Sequence, residues 1–134
     1  MNEPEILRSM LSARTIAVVG LSDRPDRPSH YVSEYMQQHG YTIYPVNPAL
    51  TEVLGEKSYA SLSDLPVKPD LVNVFRVPSL IPGIVDEMLM LGLTDIWVQQ
   101  GIVNREAAIH AEQGGIRVVM DRCIMVEHRN ARLA

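Results

Sequence analysis

A ten-residue stretch near the start of the chain contains the residue types that bind anions. Its sequence is Gly20-Leu21-Ser22-Asp23-Arg24-Pro25-Asp26-Arg27-Pro28-Ser29, and it follows the apolar run 15–19. Glycine allows a ligand to approach the backbone, serine hydroxyls donate hydrogen bonds, and the N-terminus of a following helix attracts anions. Because Arg24 and Arg27 add positive charge, we expect a phosphate site here. The alternative is a tight turn between a strand and a helix, with solvated arginines.

The same stretch lacks the features of an ordinary NAD site. The G-x-G-x-x-G fingerprint would place a second glycine at position 22, where this chain has Ser22. A ribose diol also requires Asp or Glu at the end of the second strand, where this chain has Tyr44-Pro45-Val46-Asn47-Pro48. A ligand whose ribose carries a phosphate avoids that missing contact, and arginines are its natural partners.

Two other apolar runs end in candidate ligand contacts. Phe75 and Arg76 follow one run and would bring a ring and a guanidinium to the mouth of a crevice. A buried Phe75 and a solvated Arg76 are an equally good interpretation, since aromatic rings are often simply buried. Gln99 and Gln100 follow another run and supply amides that donate and accept hydrogen bonds, although a turn before Asn104 explains them as well.

Five short apolar runs must position these loops. They alternate with stretches of helical periodicity, which predicts β-α units around a mostly parallel sheet. The strands are predicted at 15–19, 41–46, 71–75, 95–98 and 117–120. Helices are predicted at about 4–13, from Ser29 to about 39, from Ser79 to 91 and from Asn104 to 113, the last three capped by those residues, while 123–133 is a last strand turn or a terminal helix.

Short, right-handed connections then predict the topology of the sheet. We expect an α/β, Rossmann-like, doubly wound fold with five mostly parallel strands in the order 3-2-1-4-5 and three α/β/α layers. The ligand crevice of such a fold lies at the carboxyl ends of the strands. The candidate loops would therefore meet at one edge of the sheet.

Length and composition exclude several classes of function. A chain of 134 residues is expected to form one domain, 1–134, without a separate catalytic domain. The apolar runs are far shorter than the roughly 20 residues of a membrane span, and the N-terminus lacks the pattern of a secretory signal. One cysteine, Cys123, fits a reducing compartment, so we expect a cytoplasmic protein. The net charge of -4 argues against a nucleic-acid partner.

An enzyme mechanism would have to be built on Cys123 as nucleophile and His128 as base. Their spacing does not align two side chains on a helix, and no third residue completes a triad. We therefore predict no catalytic residue, with an NAD(P)-linked or acyl-transfer enzyme using Cys123 or His128 as the alternative. No metal site is predicted, because no two of the four histidines have the i, i+4 spacing.

Several of these motifs together resemble one family. They are Ala17-Val18-Val19-Gly20-Leu21-Ser22, Arg27-Pro28-Ser29, Gly40-Tyr41, Pro45-Val46-Asn47-Pro48, Val74-Phe75-Arg76, Trp97-Val98-Gln99-Gln100-Gly101-Ile102 and Asp121-Arg122-Cys123. In this order, over nearly the whole chain, they resemble the stand-alone bacterial and archaeal CoA-binding domain proteins. Those proteins are similar to the N-terminal domain of the succinyl-CoA synthetase α subunit.

The resemblance implies a Rossmann fold that binds coenzyme A or an acyl-CoA. The implied contacts are Gly20, Leu21, Ser22, Arg27 and Ser29 with phosphates, Val46, Asn47 and Pro48 with the nucleotide, Phe75 and Arg76 in the crevice, and Gln99 and Gln100 near the pantetheine arm. Ligase activity is not implied, because the synthetase requires a second domain with a phosphorylated histidine and a partner subunit.

We therefore expect a non-catalytic protein that senses, buffers or delivers CoA, as a homo-oligomer or with an unidentified protein partner. A regulatory module with a vestigial pocket is a further alternative. A mixed disulfide between Cys123 and the CoA thiol is a separate hypothesis, which requires Cys123 to be exposed near that thiol.

Overall fold

Five parallel strands alternate with helices along the chain, as the apolar runs predict. A computed structural model describes residues 1–133. The strands are β1 (Thr15–Val19), β2 (Thr42–Val46), β3 (Glu52–Val53), β4 (Glu56–Lys57), β5 (Leu71–Val74), β6 (Asp95–Val98) and β7 (Arg117–Met120). The α-helices are α1 (Pro4–Leu11), α2 (Pro28–Gln38), α3 (Ile81–Leu91), α4 (Arg105–Gln113) and α5 (Ile124–Leu133), and short 3-10 turns cover Leu62–Asp64 and Pro78–Leu80.

The main sheet has the order β2-β1-β5-β6-β7, with all neighbours parallel. Counted over its five strands this order is 2-1-3-4-5, so the predicted order 3-2-1-4-5 was wrong. The third strand, β5, is buried along its whole length and lies inside the sheet next to β1. The second strand contains Pro45, which has no N–H to donate, and therefore lies at the edge.

Helices cover both faces of this sheet, which confirms the predicted three-layer α/β fold. On one face, α3 and α4 bury Val85, Met88 and Ala111 against the sheet. On the other face, α1, α2 and α5 bury residues that include Met36 and Ile124. Alternate side chains of each strand supply the two cores, as expected of strands covered on both faces.

The helix ends agree only partly with the predicted caps. Asn104 caps α4, because its Oδ1 accepts a hydrogen bond from the Ala107 N–H at 3.0 Å. Ser29 and Ser79 do not act as caps. Proline pre-sets the backbone for the first helical position, so α2 begins at Pro28, and Ser29 lies inside its first turn. Ser79 lies within the 3-10 turn that precedes α3.

The segments at 49–66 and 123–133 were the least defined by the sequence. The first contains the hairpin β3–β4, which was not predicted, and a bridge from Tyr59 to Val46 attaches this segment to the edge of β2. The second forms the terminal helix α5. Within residues 1–133, no helix has the length and apolar composition that a membrane span requires.

Candidate functional site

A cavity of about 840 Å³ opens at the carboxyl end of the parallel sheet. Its walls come from the loops that follow β1, β5 and β6 and from the beginning of α5. The chain leaves β1 toward α2 on one face and leaves β5 toward α3 on the other, so the cavity lies at the switch point of the sheet. Open parallel α/β sheets bind their ligands at this position.

Gly20 allows the ends of β1 and β5 to meet under the cavity. Its N–H donates to the Val46 carbonyl at 2.9 Å, and its φ angle is +90°. A β-carbon at this position would lie 2.5 Å from the Phe75 carbonyl oxygen and 2.8 Å from Cδ of Arg76. Only glycine fits both the backbone conformation and the available space.

Two serines hold the loop between β1 and α2 in shape. The Ser22 N–H donates to Oγ of Ser29 at 2.9 Å, and the Arg24 N–H donates to Oγ of Ser22 at 3.1 Å. Each hydroxyl acts here as an acceptor, so its own proton stays available for a ligand oxygen. The N-terminus of α2 lies beside this loop and has no acidic residue in its first turn, which favours an anion.

Three arginines line the cavity, namely Arg24, Arg27 and Arg76, at the edge of the sheet where the sequence led us to expect them. Arg24 pairs with Asp26 at 3.4 Å, but both side chains are exposed, so this pair is weak. Neither Arg27 nor Arg76 forms an ion pair with any residue of the described chain. Two guanidinium groups are therefore free to bind phosphate or carboxylate.

Three hydrogen bonds fix the segment 121–124, at the beginning of α5, to the segment around β6. Gly101 N–H donates to Oδ1 of Asp121 at 2.7 Å, and Nε1 of Trp97 donates to the Arg122 carbonyl at 2.9 Å. The Ile124 N–H donates to Oε1 of Gln99 at 3.1 Å. These bonds bracket the residue at position 123, and Cys123 lines the cavity half-buried.

Eight of the twelve site residues predicted from the sequence line this cavity. They are Gly20, Ser22, Arg27, Ser29, Phe75, Arg76, Gln99 and Gln100. Phe75 is half-buried and packs in part against the core, whereas Arg76 is exposed. Gln99 has the additional role of holding the start of α5, which the sequence did not indicate.

The remaining four predicted residues, Leu21, Val46, Asn47 and Pro48, lie outside the cavity lining. Leu21 and Val46 are buried in the two cores, and Pro48 is exposed. Nδ2 of Asn47 donates to the Leu21 carbonyl at 3.0 Å, and its Oδ1 accepts from the Ala49 N–H at 2.9 Å. Asn47 thus fixes the loop after β2 to the loop after β1, and the contacts of these four residues with a ligand stay predictions.

The cavity also has an apolar rim that sequence reasoning missed. Tyr31, Val77 and Val126 are exposed large side chains that line it, together with the half-buried Met125. The position of Tyr31 was predictable from the sequence, because it lies two residues after Ser29 at the beginning of the predicted helix. The positions of Met125 and Val126 were not predictable, since the tail mixes apolar and charged residues and its secondary structure was ambiguous.

His128 lies in a cluster of aromatic rings between α2 and α5. Its Nδ1 is 2.9 Å from the Tyr35 hydroxyl, and its ring centroid is 5.2 Å from that of His39. Burial lowers the pKa of His128, and the charges of His39 and Arg132 act in the same direction. Cys123 lines the cavity whereas His128 does not, so the two residues of the alternative enzyme mechanism have different surroundings.

The fold, with a cavity at the switch point of its sheet, defines the chain as a Rossmann-like α/β domain. The family described as a CoA binding domain matches residues 14–129, so the chain belongs to the CoA-binding domain family. The resemblance seen in the sequence motifs is thereby confirmed.

The chain is similar to proteins of very different length. It is 46% identical over 127 residues to the uncharacterized protein YneT of Bacillus subtilis, which covers 95% of this chain and 94% of that protein. A solved structure from Thermus thermophilus is 44% identical, with a TM-score of 0.90 over 97% of this chain and 98% of that one. The acetate–CoA ligase (ADP-forming) I of Archaeoglobus fulgidus is 24% identical over 83% of this chain, but over only 18% of the ligase.

Proposed function

We propose that this chain binds coenzyme A or an acyl-CoA in the cavity at the β1–β5 switch point. The observation that carries the proposal is the pairing of two uncommitted arginines, Arg27 and Arg76, with the serine-bridged loop, in a chain of the CoA-binding domain family. Coenzyme A carries a diphosphate and a ribose phosphate, and guanidinium groups are suited to both.

The polarity of the cavity supports one direction for the ligand. The phosphates would lie against the loop between β1 and α2, where Arg27, Ser22 and the helix N-terminus are found. The pantetheine arm would then extend past Gln99 and Gln100, whose amides match its peptide-like groups. The thiol or acyl end would reach the less polar wall formed by Met125 and Val126.

The proposed activity is binding without turnover. The similarity to the Archaeoglobus fulgidus ligase covers only 18% of that enzyme, so the ligase activity is not part of the proposal. A domain that binds CoA without converting it would serve to sense, buffer or deliver the cofactor. The missing ribose carboxylate at the end of β2 also disfavours NAD as the physiological ligand.

Calorimetric titration of the full chain with CoA and acetyl-CoA tests the proposal. We expect saturable heat at one site per chain, and stabilisation against thermal unfolding of about 2.7 kcal/mol when the ligand is at 100 times its Kd. Competition with NADP and with ADP measures how much of the affinity comes from the adenosine phosphates alone. Absence of both heat and thermal stabilisation with CoA and acetyl-CoA would refute the proposal.

A further inference from the structure

The cavity that the arginines line is also lined by the only cysteine of the sequence. Cys123 directly precedes α5, and its carbonyl accepts a helical hydrogen bond from the Glu127 N–H at 3.0 Å. Its neighbours on both sides are held by Trp97 and Gln99, so the backbone at 123 has little freedom. The thiol is therefore presented to the cavity from a fixed backbone.

Gln99 provides an independent indication of what occupies this part of the cavity. It is only 4% exposed, and its Oε1 is used by the Ile124 N–H. Its Nε2 donates no hydrogen bond to any residue of the described chain, and it is not among the fully buried atoms without a partner. Since Gln99 lines the cavity, this amide nitrogen is free to donate to an acceptor of a bound ligand. The amide carbonyls of a pantetheine arm are such acceptors.

The position of Cys123 shares two features with reactive cysteines, namely partial exposure and the beginning of a helix. Reactive cysteines lie in electropositive, partly exposed positions, and helix N-termini are common among them. Cys123 is half-buried at the beginning of α5, in a cavity that also contains Arg27 and Arg76. Part of the Cys123 side chain packs against the core beneath α5, and the rest is accessible from the cavity.

We propose that Cys123 is a thiol–disulfide exchange site, at which the thiol end of the bound CoA-type ligand forms a mixed disulfide with the protein. This inference rests on the proposed function, because the arginines and serines of the cavity would hold the phosphates while the pantetheine arm brings the sulfur of the ligand to Cys123. The co-reactant is the low-molecular-weight disulfide of the same thiol.

The exchange step is balanced without any further oxidant. The Cys123 thiolate attacks one sulfur of the ligand disulfide, so that a bond to Sγ forms while the ligand S–S bond breaks. The second half of the disulfide leaves as a thiolate and takes up the proton that Cys123 released. A free thiol reverses the step by attacking the mixed disulfide.

The test uses the full chain, CoA disulfide and intact-mass spectrometry with peptide mapping. We expect one CoA adduct on Cys123, reversed by dithiothreitol and absent from Cys123→Ser. Since binding makes the step effectively intramolecular, CoA disulfide should react about tenfold or more faster than glutathione disulfide at equal concentration. Desulfo-CoA, which has hydrogen in place of the thiol, should slow the reaction by occupying the cavity.

A matched control places the only thiol elsewhere. In a Cys123→Ser background, Ser12→Cys introduces an exposed cysteine after α1, outside the cavity. This thiol should react with both disulfides at similar rates and should not be protected by desulfo-CoA. The control thus reports the rate of exchange that the cavity does not direct.

The outcomes separate this inference from the proposed function. If desulfo-CoA stabilises the protein but CoA disulfide gives no adduct, the exchange site is overturned and CoA binding stands. Equal rates with the two disulfides, without protection by desulfo-CoA, would also overturn it. If neither desulfo-CoA nor CoA binds, the proposed function fails and the exchange site fails with it.

Discussion

The carbonyl oxygen of Phe75 lies 2.5 Å from the point that a β-carbon on Gly20 would occupy. Gly20 follows β1 and Phe75 follows β5. These two strands are neighbours in the sheet although they are far apart in the chain. The missing side chain allows both strand ends to enter the same cavity. It also leaves room for Arg76, whose Cδ lies 2.8 Å from the same point, beside the loop that begins at Gly20.

Gly20→Ala should therefore destabilise the protein and weaken CoA binding together. The substitution imposes a positive φ on alanine and a collision with backbone atoms, and we expect a loss of about 2–4 kcal/mol in the free energy of unfolding. Gly40→Ala is the matched control, because Gly40 also has a positive φ but open space around it. For Gly40→Ala we expect a loss of only about 1 kcal/mol in the free energy of unfolding, which is the cost of the positive φ alone. Urea unfolding measures both, and equal losses would contradict the collision.

Arg27→Ala should lower the affinity for CoA by about 10- to 100-fold, which is the range expected for a charge-assisted hydrogen bond. Arg27 directly precedes α2 and has no ion-pair partner in the described chain, so it is free to hold a phosphate. Arg8→Ala on α1, outside the cavity, removes the same charge and serves as control. Calorimetry should give an unchanged Kd for that variant.

Dephospho-CoA distinguishes which phosphate Arg27 contacts. We expect the diphosphate, because Arg27 lies next to the serine-bridged loop and the N-terminus of α2. The fold-change caused by Arg27→Ala should then be the same for CoA and for dephospho-CoA. A variant that has lost affinity for CoA but binds dephospho-CoA as the wild type does would assign Arg27 to the 3′-phosphate instead.

Ser29→Ala and Ser33→Ala should have opposite effects, although both serines are buried in α2. Oγ of Ser29 accepts from the Ser22 N–H, so its removal leaves that donor unpaired and should cost about 1–2 kcal/mol. Oγ of Ser33 is buried without a partner in the described chain, so its removal should be neutral or stabilising. Thermal unfolding compares the two variants, and CoA affinity should fall only in Ser29→Ala.

The strand order shows how far the sequence determines the fold. The alternation of apolar runs and helical stretches predicts the parallel α/β sheet, but doubly wound sheets occur with either order. Two local signals favoured the observed one: Pro45 suits an edge strand, and the continuous apolar run at 71–75 suits an interior strand. Together, an edge position for the second strand and an interior position for the third agree with a third strand that lies beside the first.

The candidate site was predictable where it consists of strand ends, and not where it depends on long-range packing. Gly20, Arg76 and Gln99 follow apolar runs and were recognised from their types. The wall at α5 depends on hydrogen bonds such as that from Trp97 to Arg122, between residues far apart in the chain. No local pattern predicts such a contact.

The contact between His128 and Tyr35 leads to a prediction about pH. The His128 ring is also surrounded by the rings of His39 and Tyr41, and Arg129 lies over the ring of Tyr35. Burial, and then the charges of His39 and Arg132, lower the pKa of His128 from its ordinary value of 6.5. The unfolded chain therefore takes up a proton on this residue at a higher pH than the folded protein does.

The sign of the effect follows from this difference. The contribution of His128 to stability is complete above its unfolded pKa and is lost as the pH falls from about 6.5 toward the folded value, because protons then favour the unfolded chain. The melting temperature should thus decrease on acidification through this range. His128→Gln, which keeps a hydrogen-bonding group near Tyr35 without the titration, should reduce that decrease. His110→Gln is the control, since His110 is exposed and paired with Asp86 on the other face. An unchanged pH dependence in His128→Gln would show that the α2–α5 contact does not carry the effect.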